Sequence, residues 1–359
     1  MKRIWSGIFA VMLLLSLAAC GTGMKNGAEK TVLAMDTYIR LTAHGGKAAK
    51  AVREGEACVL ELEQLLSRTL EDSDVSRVNA SAGELTEVDP VTAKLMQAAV
   101  SYTEETTGAF DVTVAPVVEA WGFTTDTRQV PTADTLESLL AAVDGEALRT
   151  EQDETGVFRA ACGADQQIDL GGIAKGYASD RVADIFTKNE VSGGLAALGG
   201  NVLAYGAKEN GDPWKVGVQD PAHPEDGSAL VGIVELKNAF AVTSGGYQRY
   251  FEENGKTYHH IIDPATGYPA DSGLTSVTVV ADCFRERSWT EPWNGTMCDA
   301  LSTALFVMGE EEALAFRKSS GYDFDLVLVT ADGRVVVTSG IAEEFSFNEE
   351  SGYLYEIVS

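Results

Sequence analysis

Basic side chains are scarce in this sequence. Lys and Arg together number 27 against 54 Asp and Glu, so the formal net charge is −27. Nucleic-acid binding depends on basic surface that replaces the counterions of phosphate groups, and this composition argues against it. It argues equally against a polybasic patch for a membrane surface. An anionic substrate can bind only where local donors or a cation overcome the overall field.

Cysteine and histidine are also few, with five and four residues respectively. No two cysteines form a CxxC pair, and no His-rich stretch has the spacing of a zinc site. The common zinc motifs are therefore excluded. Two interpretations stay open for the cysteines of the main chain body, namely disulfides formed outside the membrane or buried thiols. These cysteines are Cys58, Cys162, Cys283 and Cys298.

Internal linkers and repeats are lacking as well. The 9 Pro and 36 Gly residues follow no fixed period, and no Pro/Gly-rich stretch divides the middle of the chain. Hydrophobic residues make up 45% of the sequence, which is ordinary for a globular protein and enough for a large core. We therefore predict a single α/β mixed (α+β) domain over residues 31–359, with mixed sheets flanked by helices.

The N-terminus is typical of a targeting signal. Lys2 and Arg3 are basic, and the apolar run at 8–15 is too short for a transmembrane span. Residues 17–20 (LAAC) resemble a bacterial lipobox, in which Cys20 carries acyl chains such as palmitate and becomes the new N-terminus. The alternative is a plain secretory signal that contains a cysteine.

The lipobox interpretation predicts three further features. Residues 1–19 are a lipoprotein signal peptide, and residues 20–30 are a polar tether. The mature protein is lipid-anchored to the bacterial cell membrane on its extracytoplasmic side, because several acyl chains on one residue anchor a protein firmly.

Hydrophobic periodicity and turn residues predict the elements of the domain. Asp89 and Pro90 supply an N-cap and a first-turn proline for one helix, and Asn254-Gly255 predicts a hairpin. The predicted helices are 47–66, 89–106, 132–143, 174–187, 299–308 and 310–318, and the predicted strands include 31–42, two within 194–206, 326–329, 335–338 and 353–358.

A glycine turn precedes the helix at 174–187. Residues 168–177 (IDLGGIAKGY) predict a strand end, a turn at Gly171-Gly172 and a helix start that carries Lys175. Glycines let the backbone approach a ligand, and a helix N-terminus offers free N–H groups to an anion. The spacing is neither a P-loop nor the dinucleotide GxGxxG pattern. Anion binding and a merely structural turn both fit this segment.

Two histidines stand together before a predicted turn at residues 263–267 (DPATG). His259 and His260 suggest a metal site or a base, but neighbouring strand residues point to opposite faces. Only one of the two can face a given site, so a two-histidine metal centre is excluded. A histidine that is simply hydrogen-bonded within the structure is the alternative.

Asp299 and Thr303 lie four residues apart at the start of a predicted helix and share one face. A carboxylate and a hydroxyl offer hard oxygen ligands, which suit Mg²⁺ better than zinc. The alternative is structural, with Asp299 as the helix cap and Thr303 bonded to its own helix carbonyls.

Taken in order, seven segments of the chain resemble the ApbE family of FAD:protein FMN transferases. They span nearly the whole mature chain, which makes the resemblance specific. The segments are 35–37 (MDT), 108–116 (GAFDVTVAP), 168–177, 199–201 (GGN), 243–245 (TSG), 260–267 (HIIDPATG) and 299–303 (DALST).

The resemblance implies a Mg²⁺-dependent enzyme that splits FAD, passes FMN to a Thr hydroxyl of an acceptor protein and releases AMP. It implies as acceptors membrane subunits of ion-pumping redox complexes and extracytoplasmic FMN-binding flavoproteins. Two alternatives are kept. One is an FAD pyrophosphatase that gives FMN and AMP, and the other is a non-catalytic flavin-binding or solute-binding lipoprotein.

The resemblance also assigns positions residue by residue. His260 matches a candidate base or phosphate ligand, and the Gly172 carbonyl, Asp299 and Thr303 match the metal site. The positions that match FAD contacts are Met35, Ala109, Phe110, Asp111, Asp169, Lys175 and Ile262.

This chain departs from the family pattern at three places. Thr69 stands where some members have a flavin-contacting Tyr, and Ser302 stands where some have a third metal-site carboxylate. Residues 282–297 form a longer segment than usual, containing Arg285, Arg287, Trp289 and Trp293. That segment can be a lid, an acceptor-docking loop or an inert insertion.

Overall fold

The structure is a computed structural model that describes residues 27–123, 125, 127–284 and 294–359. The signal peptide, Cys20 and the four large side chains of the long segment (Arg285, Arg287, Trp289 and Trp293) lie outside the described residues. Among the described helices, none combines the length and the apolar character that crossing a bilayer requires.

A nine-stranded sheet forms the centre of the fold. Its neighbouring strands run antiparallel except for the last pair, which is parallel. In spatial order the strands are β1 (Gly27–Ala34), β2 (Thr37–His44), β6 (Gly193–Leu198), β7 (Asn201–Gly206), β10 (Ala239–Gly245), β13 (Leu274–Asp282), β14 (Asp325–Thr330), β15 (Arg334–Thr338) and β17 (Leu354–Val358).

Three small sheets accompany the large one. A three-stranded sheet of β8 (Trp214–Gln219), β9 (Leu230–Leu236) and β16 (Phe345–Phe347) covers one of its faces. Another joins β3 (Thr86–Val88), β4 (Arg149–Gln152) and β5 (Phe158–Ala161). The predicted hairpin is β11 (Tyr250–Glu253) and β12 (Lys256–His259).

Helices cover the opposite face of the large sheet, and local sequence signals start several of them. Asp89 accepts a hydrogen bond from the Val91 amide at 2.8 Å and Pro90 opens α3, as predicted. The helices of the described residues are α1 (Ala48–Leu66), α2 (Asp74–Ala80), α3 (Pro90–Glu105), α4 (Ala115–Ala120), α5 (Ala133–Leu140), α6 (Ala174–Lys188), α7 (Asn294–Met308) and α8 (Glu310–Ser319).

The large sheet is buried on both faces, and this explains the continuous apolar runs of its central strands. In β14, Leu326 and Leu328 face the helices, whereas Val327 and Val329 face the small sheet. Burial of each such side chain stabilises the fold by about 1.5–3 kcal/mol. The α+β prediction is confirmed. Helices α1, α6 and α7 pack against one face of the large sheet.

Three predicted boundaries are wrong. The strand at 31–42 is a hairpin, because Met35 and Asp36 adopt φ of 51° and 58° and form a two-residue turn. Residues 27–30 of the expected tether belong to β1. The helix predicted to begin at Asp299 is already helical at Asn294.

The cysteine alternatives are also resolved within the described ranges. Cys58, Cys162, Cys283 and Cys298 form no disulfide with one another. Three of them are buried and Cys58 is half-buried, so the buried-thiol interpretation describes them.

Candidate active site

Two turns meet at one edge of the large sheet. The register that pairs Ile39 with Leu198 places the β1–β2 turn beside the β6–β7 turn. A Cβ atom at Gly199 would lie 3.1 Å from Thr37 Oγ1, so the turns are in contact. The Met35 amide donates to Glu63 Oε1 at 2.7 Å. Helix α1, which carries Glu63, thereby holds the strained β1–β2 turn in place.

The same edge connects to α7 through polar side chains. The Thr243 amide donates to the Gly200 carbonyl at 2.9 Å. The next residue, Ser244, places its hydroxyl 2.8 Å from Ser302 Oγ and 3.3 Å from Thr303 Oγ1. The sheet edge therefore fixes the face of α7 that carries Thr303.

Helices α6 and α7 cross unusually closely, because glycine stands at the crossing on both helices. A Cβ atom at Gly176 would lie 2.3 Å from the Gly295 carbonyl oxygen and 2.7 Å from Asp299 Cβ. The Gly176 amide donates to Asp299 Oδ2 at 2.8 Å. Asp299 is thus not the cap of its own helix; its carboxylate satisfies the first turn of α6.

This bond changes the hydrogen bonding of the glycine turn. In a regular helix the Gly176 amide would bond to the carbonyl of Gly172, four residues earlier. Here it bonds to Asp299, and in the described part of the chain no backbone amide donates to the Gly172 carbonyl. That oxygen is available as a ligand.

A second unused oxygen lies beside Asp299. Asn201 is 2% exposed and donates through Nδ2 to Asp299 Oδ1 at 3.2 Å, while its Oδ1 is buried without a partner among the described residues. Carboxylate, carbonyl, amide and hydroxyl oxygens are hard ligands that suit Mg²⁺. The described residues contain no group of three or more His, Cys, Asp or Glu that could hold a metal ion, so a cation here would depend on neutral oxygens around the single Asp299 carboxylate. These oxygen donors suit Mg²⁺ better than zinc.

The environment of Asp299 would favour a bound cation. Its side chain is buried, and burial raises the pKa of its carboxyl, opposed first by the charge of Lys175 and then by the Gly176 amide. No ion pair involves Asp299 among the described residues. A buried carboxylate that forms no ion pair costs free energy, and a divalent cation beside it would reduce that cost.

Positive charge gathers on the other side of the glycine turn. Lys175 donates to the Gly171 carbonyl at 2.7 Å. The Arg249 carbonyl accepts from the His260 amide at 3.0 Å and lies 3.2 Å from His260 Nδ1. Burial lowers the pKa of His260, and the charges of Arg249, His259 and Lys175 lower it further. His260 therefore lies among cations that make no ion pair within the described chain.

The two histidines are separated as the strand argument predicts. His259 lies within 3.1 Å of the Ala270 carbonyl through Nε2 and packs edge-on against Phe306. Burial lowers its pKa as well. His259 is therefore a packing residue, and His260 is the histidine near Lys175.

The loop at 108–116 packs directly on the glycine turn. A Cβ atom at Gly172 would lie 3.0 Å from the Phe110 ring, and the Asp169 amide donates to the Val112 carbonyl at 2.9 Å. Asp169 Oδ1 accepts from the Gly171 amide at 2.8 Å. The predicted flavin-contact residues Ala109, Phe110 and Asp169 are thus brought together with Gly172.

Asp111 has a structural task that the sequence does not reveal. Its Oδ1 accepts from the amide and the hydroxyl of Thr113, and its Oδ2 accepts from the Gly145 amide at 2.9 Å. The carboxylate is 9% exposed. Contact of this residue with a ligand stays a prediction, and its acceptor sites are already occupied inside the protein.

Ile262 belongs to a separate apolar group rather than to the sheet edge. It is 5% exposed and packs with Trp121, Phe123 and Leu136. Phe123 also packs edge-on against His260. Phe123 therefore links the apolar group of Ile262 to His260.

The two substituted positions also have structural partners. Ser302 is fully buried and donates to the Asp299 carbonyl at 2.9 Å, besides its contact with Ser244. Thr69 lies 3.1 Å from Ser67 Oγ, next to Arg68, whose Nε is 4.0 Å from Asp169 Oδ2. The residues that sequence reasoning did not assign to the site are Asn201, Ser244 and Arg249.

Comparisons with known proteins agree with this arrangement. A model described as the ApbE family matches residues 35–328. An FAD:protein FMN transferase of Haemophilus influenzae is 32% identical, over 98% of this chain and 100% of that protein. One of Treponema pallidum is 32% identical over 90% and 92%.

Solved structures show the same likeness. The crystal structure of the ApbE protein of Thermotoga maritima superposes with a TM-score of 0.77 at 33% identity, covering 89% of this chain and 99% of that one. The apo flavinyl transferase ApbE of Pseudomonas stutzeri gives 0.75 at 28% identity, covering 91% and 100%. The chain belongs to the ApbE family.

Proposed function

We propose that this protein is an FAD:protein FMN transferase, which transfers FMN from FAD to a Thr hydroxyl of an acceptor protein. The observation that carries the proposal is the oxygen cluster around Asp299, set against the cations Lys175 and Arg249 in a protein of net charge −27. The family relatives named for this activity support it.

The proposed reaction replaces the phosphoanhydride bond of FAD with a phosphoester bond to the acceptor Thr. The acceptor Thr oxygen attacks the FMN phosphorus, a new P–O bond forms and the P–O–P bond of FAD breaks. AMP leaves with the bridging oxygen, and the Thr proton passes to a base or to solvent. No electrons are gained or lost, so neither oxidant nor reductant is required.

The Gly172 carbonyl, Asp299 and Thr303 are the residues proposed to hold Mg²⁺. The bound ion would neutralise charge on the phosphoryl oxygens. Asp299 supplies the charge of the donor set. Ser244 contacts the Thr303 hydroxyl, which lies on the same face of α7 as Asp299. Asn201 holds the Asp299 carboxylate through its amide.

Lys175 and His260 are proposed to act on the phosphate side. Lys175 provides a positive charge in the first turn of α6. A bound pyrophosphate would offset the charges of Lys175 and Arg249, so His260 would take up a proton more readily. His260 can then serve as a base for the acceptor hydroxyl or as a phosphate ligand.

The proposed FAD contacts rest on the family resemblance. We propose that Met35, Ala109, Phe110, Asp111, Asp169, Lys175 and Ile262 contact FAD. The proposed acceptors are membrane redox-complex subunits and extracytoplasmic FMN-binding proteins.

AMP release from FAD tests the proposal and separates it from the alternatives. The purified chain is incubated with FAD, with and without MgCl₂ and an acceptor that carries the Thr. A transferase releases AMP in step with covalent flavin fluorescence on the acceptor in a denaturing gel. AMP and free FMN without labelling would indicate an FAD pyrophosphatase. FAD binding without any AMP would indicate a flavin-binding lipoprotein.

Replacement of Lys175 tests the phosphate subsite. We expect Lys175→Met to raise the KM for FAD about 10- to 100-fold, because a hydrogen bond to a charged group contributes about 1.5–3 kcal/mol. The far-ultraviolet circular dichroism and Tm should stay close to wild type, since Lys175 is half-buried and forms no ion pair in the described chain. A wild-type KM would show that Lys175 does not bind substrate.

We also propose that the protein is a lipoprotein anchored outside the cytoplasmic membrane through Cys20. The lipobox-like sequence at 17–20 supports this proposal. Cys20→Ala should leave the precursor uncleaved or release the protein into a soluble fraction, as measured by palmitate labelling and membrane fractionation. Unchanged labelling and membrane retention in the variant would contradict the anchor.

A further inference from the structure

A second buried carboxylate mirrors Asp299 across the crossing of α6 and α7. Asp180 lies on α6, four residues after Gly176, and is 5% exposed, the same as Asp299. Its Oδ1 accepts from the Gly295 amide at 2.7 Å. Its Oδ2 accepts from the Thr296 amide at 2.8 Å and the Thr296 hydroxyl at 2.7 Å.

The two helices therefore satisfy each other's first turns. First-turn amides have no partner within their own helix and require an outside acceptor when buried. Asp299 of α7 accepts from Gly176 of α6, and Asp180 of α6 accepts from Gly295 and Thr296 of α7. Gly176 and Gly295 allow the backbones to approach closely enough for both contacts.

We propose that Asp180 is a positioning residue for the metal site, because it fixes the start of α7 and so the place where Asp299 faces the first turn of α6. Thr296 lies only one helical turn before Asp299, so a shift at Thr296 moves the Asp299 carboxylate. This inference rests on the proposed function, since it assigns Asp180 a role toward the proposed Mg²⁺ ligands.

The chemistry of Asp180 makes it hard to replace. Three donors point at its two oxygens, and an amide would offer one acceptor oxygen while turning an NH₂ group toward a donor. Burial raises the pKa of Asp180 to about 7, although the Thr296 hydroxyl and the amides favour the ionised form. Asp180→Asn therefore keeps the size of the side chain and removes the pattern of acceptors.

The test compares Asp180→Asn with Asp220→Asn. Asp220 is also 5% exposed and accepts from the Ala222 amide at 2.9 Å and the Tyr353 hydroxyl at 2.8 Å, but it follows β8 on the other side of the large sheet. The Tm of the full chain is measured against MgCl₂ concentration at fixed pH with AMP present. The KM for FAD and kcat are measured in parallel.

We expect Asp180→Asn to lower the Tm without metal, because it leaves a buried donor unpaired, and Asp220→Asn to lower it less, because both donors to Asp220 bond to Oδ1, which Asn keeps. Only Asp180→Asn should raise the Mg²⁺ concentration for the half-maximal Tm shift, by about 10- to 100-fold, as loss of a residue that orients metal ligands usually does. Its kcat should recover partly at high MgCl₂. If the half-maximal Mg²⁺ concentration of Asp180→Asn equals that of wild type, the proposal is overturned and Asp180 is only a helix cap.

Two further outcomes are informative. If Asp180→Asn does not fold, Thr296→Val is the second variant, because it removes only the hydroxyl donor to Asp180. It should raise the half-maximal Mg²⁺ concentration by a smaller factor. An unchanged concentration would overturn the proposal. If wild type itself shows no Mg²⁺-dependent shift and no AMP release, the proposed function fails and the role of Asp180 fails with it.

Discussion

Asp299→Asn should abolish Mg²⁺-dependent flavin transfer while leaving the fold intact. We expect kcat to fall by about 100-fold or more, because a metal ion contributes several kcal/mol of charge stabilisation in a phosphoryl transition state. The Tm without metal should stay close to the wild-type value, because the variant removes a buried charge that costs free energy and Asn201 can turn its unpaired Oδ1 toward the new amide. Flavin fluorescence on the acceptor and the Tm with and without MgCl₂ are the measurements.

Thr69→Ala is the control for Asp299→Asn. Thr69 lies near the flavin side of the site by resemblance, and within the described part of the chain its hydrogen bonds are to Ser67. It should retain the full Mg²⁺-dependent Tm shift in the presence of AMP, whereas Asp299→Asn should lose it. Full transfer activity in Asp299→Asn, or undiminished wild-type activity in excess chelator, would refute the metal site.

Gly176→Ala should both destabilise the protein and remove the response to Mg²⁺. The new methyl group would lie 2.3 Å from the Gly295 carbonyl oxygen, and backbone cannot yield as a flexible side chain can. We expect the free energy of unfolding to fall by about 1–3 kcal/mol or more from overpacking, despite the better helix propensity of Ala. Separation of α6 from α7 would also break the bond from the Gly176 amide to Asp299.

Gly55→Ala is the matched control for Gly176→Ala. Gly55 also lies within a helix, but its added methyl group would meet only side-chain ends, Leu41 Cδ1 at 3.0 Å and Val182 Cγ2 at 3.8 Å. Its stability should be unchanged or higher, because Ala favours a helix by about 1 kcal/mol over Gly. Denaturant unfolding with and without MgCl₂ measures both effects. Equal stability of the two variants would contradict the close crossing.

Local sequence signals predicted the elements that local interactions determine. Asp89 and Pro90 start α3 by themselves, and Asn254-Gly255 turns the β11–β12 hairpin. The turn at Met35-Asp36 has no glycine, and it is held by the bond from Met35 to Glu63, 28 residues away. Such a turn cannot be recognised from neighbouring residues alone.

The start of α7 escaped prediction for a similar reason. The acceptor for its first-turn amides is Asp180, more than a hundred residues earlier in the chain. The role of Asp111 was equally hidden, because its partner Gly145 is distant in sequence. Arg249 approaches His260 only because the hairpin pairs Tyr250 with His259. These contacts depend on tertiary structure, which local periodicity does not encode.

Several segments that carry the family resemblance lie together in the structure, which local pattern did not predict. Its segments at 35–37, 199–201, 243–245 and 299–303 look unrelated in sequence, yet direct contacts join each to the next in the structure. The metal and flavin roles of individual residues remain predictions.

The intact mass of an acceptor protein tests the central claim most directly. The acceptor is incubated with the purified chain, FAD and MgCl₂, beside an acceptor in which the target Thr is replaced by Ala. We predict a mass increase equal to FMN minus one water on the Thr form alone, with one AMP released per modified acceptor. An unchanged acceptor mass, with FAD intact or fully hydrolysed, would contradict the proposal that this protein is a flavin transferase.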